Sequence, residues 1–546
     1  MPSERAVAAG PQEETASAWA PFRHAAFSVL WLAAVLSNVG TWMHDVAAGW
    51  LMTTLAPTPF MVALVQAATT LPVFLFALPA GTLADLVDRR RLLVVVMSIL
   101  SLAATILWLL AALELVTPWL LLAFTFVFGA GAAFVAPAWQ AIVPQLVPRA
   151  ELQPAVALNS MGINVSRAIG PALAGFVIAA FGIAWPFLAN AASFLAVIAA
   201  LLWWRPPPRR PTALPAERFW SGLRAGLRYA RASGPFRATL VRAGAFFLFA
   251  SAYWALLPLI AREVLSGGAA LYGTMLGAVG LGAVAGALLL PWMKRRLGAD
   301  RLTAAGTGGT ALALIVFAAV PLAEAAITAS LLAGVSWIAV LSSLNVSAQL
   351  ALPDWVRARG LSIFITVFFG AMTLGSLLWG QVASLASIPA ALLAAAGGAV
   401  AAAAVTWRFR LHQGADLDLS PSAHWPQPVV GSEISPGGGP VMVTVEYSIT
   451  SDARADFLTA MRTLEMARRR DGASTWHLLE DAARPGRFVE VFTEESWLVH
   501  LHHHERVTVT DRTLQDRINA LHNGPMPPQV THLVTPGPDS APSVRP

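Results

Sequence analysis

The sequence predicts an all-α membrane protein of twelve transmembrane helices in two six-helix repeats, followed by a small soluble α+β domain. Three observations carry this expectation. The 546-residue chain is 56% hydrophobic and only 12% charged, against about 25% charged in ordinary soluble domains, so most of it needs lipid as its solvent. Twelve apolar stretches follow one another between Ala25 and Trp407. Charge then divides the chain: residues 1–440 hold 25 Lys+Arg and 16 Asp+Glu, whereas residues 441–535 hold 10 and 13, an ordinary soluble density.

Residues 1–24 read as a cytoplasmic tail. They do not form a signal peptide, because Glu4, Glu13 and Glu14 interrupt any apolar core. A spanning helix takes about 20 mostly apolar residues. Such stretches lie near 25–55, 58–86, 91–113, 118–147, 152–182 and 184–204, making a first bundle over 25–204. Six more lie near 238–262, 270–293, 302–322, 326–350, 358–387 and 389–407, making a second over 238–411. Residues 205–237 link the bundles. There Phe219, Trp220, Leu223 and Leu227 recur at helical spacing beside Arg218, Arg224, Arg228 and Arg231, as in a helix lying on an anionic inner leaflet. A structural tether between the bundles is the preferred reading, and a regulatory element the alternative. Residues 412–440, rich in Pro, Gly and Ser, read as a flexible linker. The soluble domain occupies 441–535, and 536–546 reads as a disordered tail.

Orientation follows from the basic residues, which resist translocation. With both termini cytoplasmic, 23 of the 25 Lys and Arg before position 440 fall inside; Arg262 falls outside and Arg167 within a span. The sequence pI near 10.5 therefore reflects membrane topology and implies no nucleic-acid partner. The absence of cysteine excludes disulfides, thiolate metal sites and a cysteine nucleophile.

The two bundles echo each other. Gln140-Ala-Ile-Val-Pro144 ends the fourth stretch and Gln349-Leu-Ala-Leu-Pro353 the tenth, 209 residues apart, while Arg91-Leu92 and Arg301-Leu302 stand 210 apart. Parallel six-helix repeats mark transporters that handle substrate between their halves near the midplane.

At these residues the chain resembles the major facilitator superfamily. That superfamily's second loop reads Gly-x-x-x-Asp-Arg-x-Gly-Arg-Arg; here it is Gly81-Thr-Leu-Ala-Asp85-Leu86-Val-Asp88-Arg89-Arg90. The departure at Asp88 is similar to the branch of transmembrane secretion effectors that contains the enterobactin exporter. Gly40-Thr-Trp-Met with Trp50, Ala136-Pro137-Ala-Trp-Gln140, Asn159, Asn164, Arg167 and Gly170-Pro171 extend the likeness over roughly residues 22–410. The resemblance implies a bacterial inner-membrane exporter of a small amphipathic molecule, such as a siderophore or drug, by proton antiport and alternating access. It also implies a cytoplasmic gate in which Gly81, Asp85, Arg89 and Arg90 meet Arg357 and Arg359. Gly170-Pro171, with Gly175, stands where antiporters of the superfamily carry a Gly-Pro. The arginine that drug/proton antiporters often carry in their fourth helix is absent.

Charges inside spans default to function. Asp45, beside His44, lies about 20 residues into the first span, and Arg167 about 15 residues into the fifth. At 1.5 Å per residue the depths differ by about 7–8 Å, so an ion pair between them is expected, with proton coupling or substrate contact at Asp45, His44 and Arg167. A structural ion pair, or an Asp45 simply wetted near the outer mouth, is the alternative. Asn38, Gln66, Asn159, Asn164, Asn345, Gln349 and Gln381 are candidates for lining a cavity or bridging helices. Phe246, Phe247, Phe249, Tyr253 and Trp254 could stack on an amphipathic substrate.

In the C-terminal region Val441–Ile449, Thr475–Leu479, Arg487–Phe492 and Gln529–Val534 read as strands, and Asp452–Arg470 and Glu495–Leu521 as helices. This strand–helix–strand–strand–helix–strand order is ferredoxin-like and resembles the dimeric domains of antibiotic-biosynthesis monooxygenases, implying dimerisation through this domain. His500 and His504 stand at metal-ligand spacing, but a surface or interface cluster is the preferred reading, so no metal and no cofactor is expected. The competing function is a membrane-anchored enzyme whose activity lies in this domain.

Overall fold

The computed structural model describes residues 17–205, 219–411, 418–420, 422, 424–425, 434–435 and 437–535. The side chains of 82, 84–86, 219–225 and 505 lie outside the described set, and with them the carboxylate expected at Asp85 and the outer half of the linker's amphipathic pattern. The expected tails fall largely outside it too.

The first half comprises α1 (Ala25–Leu55), α2 (Pro59–Leu86), α3 (Arg89–Ala112), α4 (Pro118–Ile142), α5 (Leu152–Phe181) and α6 (Trp185–Trp203). The linker contributes α7 (Phe219–Ala232), and the second half α8 (Gly234–Leu259), α9 (Ala269–Ala319), α10 (Ala323–Leu350), α11 (Asp354–Leu385) and α12 (Ile388–Thr406). Eleven of these helices are long and apolar enough to cross a membrane. Start signals are local: Asp88, Thr117, Ser233 and Ser387 each cap the following helix by accepting from a backbone N–H.

Helix α9 runs through two of the expected spans, with most of the basic stretch between them helical as well. Its 51 residues would reach about 76 Å as one straight helix, far beyond a bilayer. It breaks at Gly298, whose φ of 68° and ψ of 174° are non-helical; only a residue without Cβ takes this backbone cheaply. The basic run before it, Lys294-Arg-Arg-Leu297, stays helical because those residues are good helix formers. Beyond the break, Asp300 accepts from the Arg242 guanidinium and from the Leu411 N–H at 3.1 Å, fastening this end of the second half.

One end of the bundle carries the basic residues and the start of α1; the opposite end is called the far end. At the far end the halves close on each other. The Phe60 N–H donates to Ser384 Oγ at 2.9 Å, Arg262 donates to Thr53 and Thr54 hydroxyls at 2.8 and 2.9 Å, and deeper in, Thr70 and Thr373 share a 2.8 Å bond. Helix α4 packs on α2 and α3, and α10 on α8 and α9, each within its own half.

The C-terminal region holds β1 (Val441–Ser448), α13 (Arg454–Asp471), β2 (Thr475–Glu480), β3 (Arg487–Glu494), α14 (Trp497–Arg506), α15 (Val509–Ala520) and β4 (Gln529–Val534). The strands form an antiparallel sheet in the order β2-β3-β1-β4. Val441, Val443, Val445 and Tyr447 alternate onto the core face, where they meet Phe457, Met461, Leu464 and Ile518. The single helix expected over Glu495–Leu521 is two, because Thr508 and Asp511 form a reciprocal capping box that restarts the chain as α15.

Both connecting segments make contacts with the rest of the chain. Helix α7 packs against protein: Gly226 abuts Arg359 and Ile363, Tyr229 and Ala230 are buried, and the Tyr229 hydroxyl donates to the Ala351 carbonyl at 2.8 Å. Of the apolar stripe expected there, only Leu227 has a described side chain, and it is 41% exposed. The described part of the 412–440 linker is tied down: Ser422 N–H donates to the Val507 carbonyl and Val509 N–H to that of Ser420, and Trp425 Nε1 donates to Gln515. Turn-forming composition does not imply looseness when the backbone finds such partners.

Candidate functional site

On α1, Asn38, Trp42, Asp45 and Gly49 recur at helical spacing and share a face. That face is set towards the second half. The Arg167 guanidinium lies 5.7 Å from the Trp42 ring, Trp42 lies 6.5 Å from Trp254, and Gly49 faces the Tyr272 hydroxyl. Asp45 lies between Trp42 and Gly49, within electrostatic range of Tyr272. The expected ion pair is not formed: among the described residues neither Asp45 nor Arg167 takes part in one. The depths are compatible, but Trp42 occupies the place beside Arg167 and binds it by cation–π attraction. His44 points elsewhere. It is buried in the first half, its ring 4.1 Å from Phe128 and 5.0 Å from Phe187, with neither nitrogen hydrogen-bonded.

Behind Trp254 stands an aromatic wall. Trp254 lies 5.5 Å from Tyr253 and 5.3 Å from Trp337, and Phe247 lies 5.2 Å from Trp337 and 4.3 Å from Phe368. Of the five aromatics singled out on this helix, Phe246, Phe247, Tyr253 and Trp254 join the cluster around Trp337, while Phe249 packs on Trp379. Arg167 Nε, Tyr253 Oη and Trp254 Nε1 are buried donors without a hydrogen-bond partner among the described residues. Such groups are costly unless something pairs with them, and here they gather where the halves meet.

The Gly-Pro segment builds that meeting. A Cβ on Gly170 would fall 2.6 Å from Trp42 Cβ, so the glycine lets α1 and its tryptophan approach α5. Pro171 cannot donate to the Arg167 carbonyl one turn back, and that carbonyl instead abuts Gly280 of α9. Gly175 and Gly273 face each other across the same seam. Small residues thus bring backbones of the two halves into contact.

The polar candidates divide. Asn159 accepts from Trp139 Nε1 at 3.1 Å, which joins α4 to α5. Asn164 donates to the Ser160 carbonyl, and Gln349 donates to Asn345 at 2.5 Å, both in exposed settings on the basic side of Arg167. Gln66 sits on α2 near the closed far end. At the expected gate, Arg90 donates to the carbonyls of Leu201 and Leu202, closing the end of α6, and Arg89 to Ala141 at the end of α4. Arg357 pairs with Asp354 on its own helix at 2.6 Å. Gly81 has open space at its Cβ position. Trp42, Trp337, Phe368 and Tyr272 were not among the site residues expected; only Trp42 had a signal, in the Gly40-Thr-Trp-Met run.

In the C-terminal region β3 turns two carboxylates inward. Glu490 accepts from Arg468 and Trp476 at 2.9 Å and from Tyr447 at 3.2 Å. Glu494 accepts from His500 Nδ1 at 2.6 Å and from His503. Burial alone would raise the Glu494 carboxyl, but the two imidazoles hold it well below the usual range. Burial and the neighbouring histidines push His504 down to about 4.

The transmembrane secretion effector model matches residues 16–539, including the C-terminal sheet. The Staphylococcus aureus staphyloferrin A transporter is 27% identical over 264 residues, 48% of this chain and 65% of that protein. The chain thus spans just under two thirds of that relative. The Escherichia coli enterobactin exporter EntS is 28% identical over 325 residues, 59% of this chain and 76% of the exporter. Among solved structures, a POT family transporter in complex with 5-aminolevulinic acid superposes with a TM-score of 0.59 at 12% identity, covering 71% of this chain and 96% of the other. That likeness concerns the fold. The family match covers nearly the whole chain and does not favour the enzyme reading: the protein is a multi-pass membrane protein of the transmembrane secretion effector family, within the major facilitator superfamily of transporters.

Proposed function

We propose that the protein exports a small amphipathic anion of the siderophore class by alternating access, with Arg167, Trp42 and Trp254 as the substrate contact and Asp45 as the proton-coupling carboxylate. The observation that carries this reading is the gathering of a guanidinium, two indoles and a phenol, three of them with unpartnered buried donors, at a seam between two repeats. A delocalised cation suits carboxylate or catecholate oxygens, and the aromatic wall suits the apolar part of such a molecule. The named activities of the staphyloferrin A and enterobactin relatives point to the same class.

In this reading the basic end is cytoplasmic, following the positive-inside bias. The chain crosses twelve times, the break at Gly298 dividing α9 into two spans, and both termini lie inside the bacterial inner membrane. The closed far end and the separately packed α4 and α10 give an inward-facing state. Gly81, Asp85, Arg89 and Arg90 meet Arg357 and Arg359 when the halves rock the other way. Asp45, on the α1 face beside Trp42, changes its exposure in that movement and exchanges its proton on one side. The C-terminal region is a ferredoxin-like domain, as its sheet order supports. It docks beneath the second half, where the Arg506 guanidinium lies 4.3 Å from the Trp355 ring and that of Arg470 6.0 Å from Tyr229.

The test is accumulation of siderophores of the citrate and catecholate types in cells with and without the protein. Retention in cells carrying Arg167→Gln, at wild-type membrane levels, supports the reading. Export that Arg167→Gln and Trp42→Ala leave unchanged overturns it.

A further inference from the structure

We infer that His500, His504 and His532 form a binding site for a divalent transition-metal ion on the C-terminal domain, with Glu494 orienting His500 from behind. The sequence shows only the first two, one turn apart on α14. Strand pairing adds the third: β4 lies beside β1 at the sheet edge and brings His532 to 4.8 Å from His500, ring centre to ring centre. One ring nitrogen from each of the three lies within 4.8 Å of the others.

The hydrogen bonding prepares the nitrogens for a cation. Glu494 is a buried carboxylate that accepts from His500 Nδ1 at 2.6 Å, so the proton of a neutral His500 sits on Nδ1 and Nε2 carries the lone pair. That Nε2 accepts a hydrogen bond at 3.2 Å from His504 Nε2, whose proton a metal ion would displace. Two imidazole nitrogens bound tetrahedrally to zinc at 2.0–2.1 Å stand about 3.3 Å apart, so this pair already has the spacing of two ligands. A carboxylate behind a ligating histidine is the usual outer support of such sites. Among the described residues the His532 ring makes no hydrogen bond, only ring contacts with His500, His504 and Trp497. It is an unpartnered imidazole set beside the pair, on an edge strand where a side-chain rotation completes the triad.

Three imidazoles without thiolate or ligating carboxylate favour zinc, cobalt, nickel or copper over magnesium or calcium. Three protein ligands leave a coordination position open. His500 is 1% exposed, whereas His504 and His532 are half-buried, so an ion reaches the site from solvent and is held at the edge of the core.

The experiment uses the full-length chain, purified without a polyhistidine tag, stripped with chelator and titrated with Zn²⁺ by calorimetry, with bound metal counted by elemental analysis. One tight Zn²⁺ per chain is expected, and Co²⁺ in its place gives the intense visible bands of a tetrahedral ion. His504→Gln and His532→Ala, both half-exposed positions that leave the core intact, each weaken Zn²⁺ by at least about 100-fold, while Glu494→Gln weakens it about 10–100-fold. His477→Ala, outside the cluster, leaves it unchanged. Absence of a stoichiometric site, or Zn²⁺ binding that both His504→Gln and His532→Ala leave unchanged, overturns the inference.

Discussion

Gly273 offers the most direct test of rocking between the halves. A Cβ at this position falls 2.5 Å from the Pro171 carbonyl oxygen, 2.9 Å from Gly175 Cα and 3.0 Å from Gly175 N. All three neighbours are backbone atoms, so no rotamer change relieves the clash; α5 and α9 must separate. Gly273→Leu therefore penalises the closed far end and leaves a state in which that end is open without the clash. Overpacking of this kind costs about 1–3 kcal/mol, which acts on one state only and shifts the equilibrium about 5- to 150-fold towards it. The chain has no cysteine, so a pair at Phe60 and Ser384, bonded across the far end at 2.9 Å, takes spin labels without background. Pulsed distance measurements on the labelled pair are expected to show a short population in the parent protein that falls at least fivefold in Gly273→Leu, with export falling in parallel. Gly308→Leu is the control, since nothing lies within 4 Å of its Cβ position. An unchanged distance distribution in Gly273→Leu, at normal expression, would refute the argument that this seam holds the halves together.

Four further outcomes are expected. Asp45→Asn removes the dependence of export on a pH gradient while retaining substrate binding, measured in proteoliposomes; a retained dependence moves the coupling elsewhere. Arg167→Lys loses the planar fork and weakens the contact with Trp42, lowering export about 2- to 30-fold at the strength of a cation–π pair, whereas equal transport rates exclude a planar-cation contact. Glu490→Ala leaves the buried Arg468 without its carboxylate and destabilises the C-terminal region by about 3–5 kcal/mol, read as early loss of its protection in hydrogen exchange; protection at the parent level shows the pair to be dispensable. Asp511 is buried, which raises its carboxyl, yet Arg470 and Thr508 outweigh that and hold it below the ordinary 3.8. A depressed folded value means stability present above pH 3.8 and lost as pH falls through the lower folded value, so Asp511→Asn should flatten the acid limb of the unfolding curve, and an identical limb would remove Asp511 from the account.

Some of this was legible in the chain itself. Span length, the basic bias and the offset of about 210 residues depend on local composition, and hydrophobic thickness leaves a helix few alternatives. The four strands were visible because period-2 alternation with one buried face, as in Val441, Val443 and Val445, is also local. Even the seam of Gly170, Pro171 and Gly175 could be noticed, though not its partners Gly273 and Gly280. What tertiary structure decided was direction. Asp45 and Arg167 were matched in depth, but depth along a helix says nothing of azimuth, and Trp42 holds the place that an ion pair would need. His44, one residue from Asp45, turns about 100° away into the first half. His532 stands 28 residues beyond His504 and reaches it only because β4 pairs with β1. Glu494 faces α14 because the pleat of β3 turns it inward. Each of these depends on the packing of elements distant in sequence, which periodicity and composition do not encode.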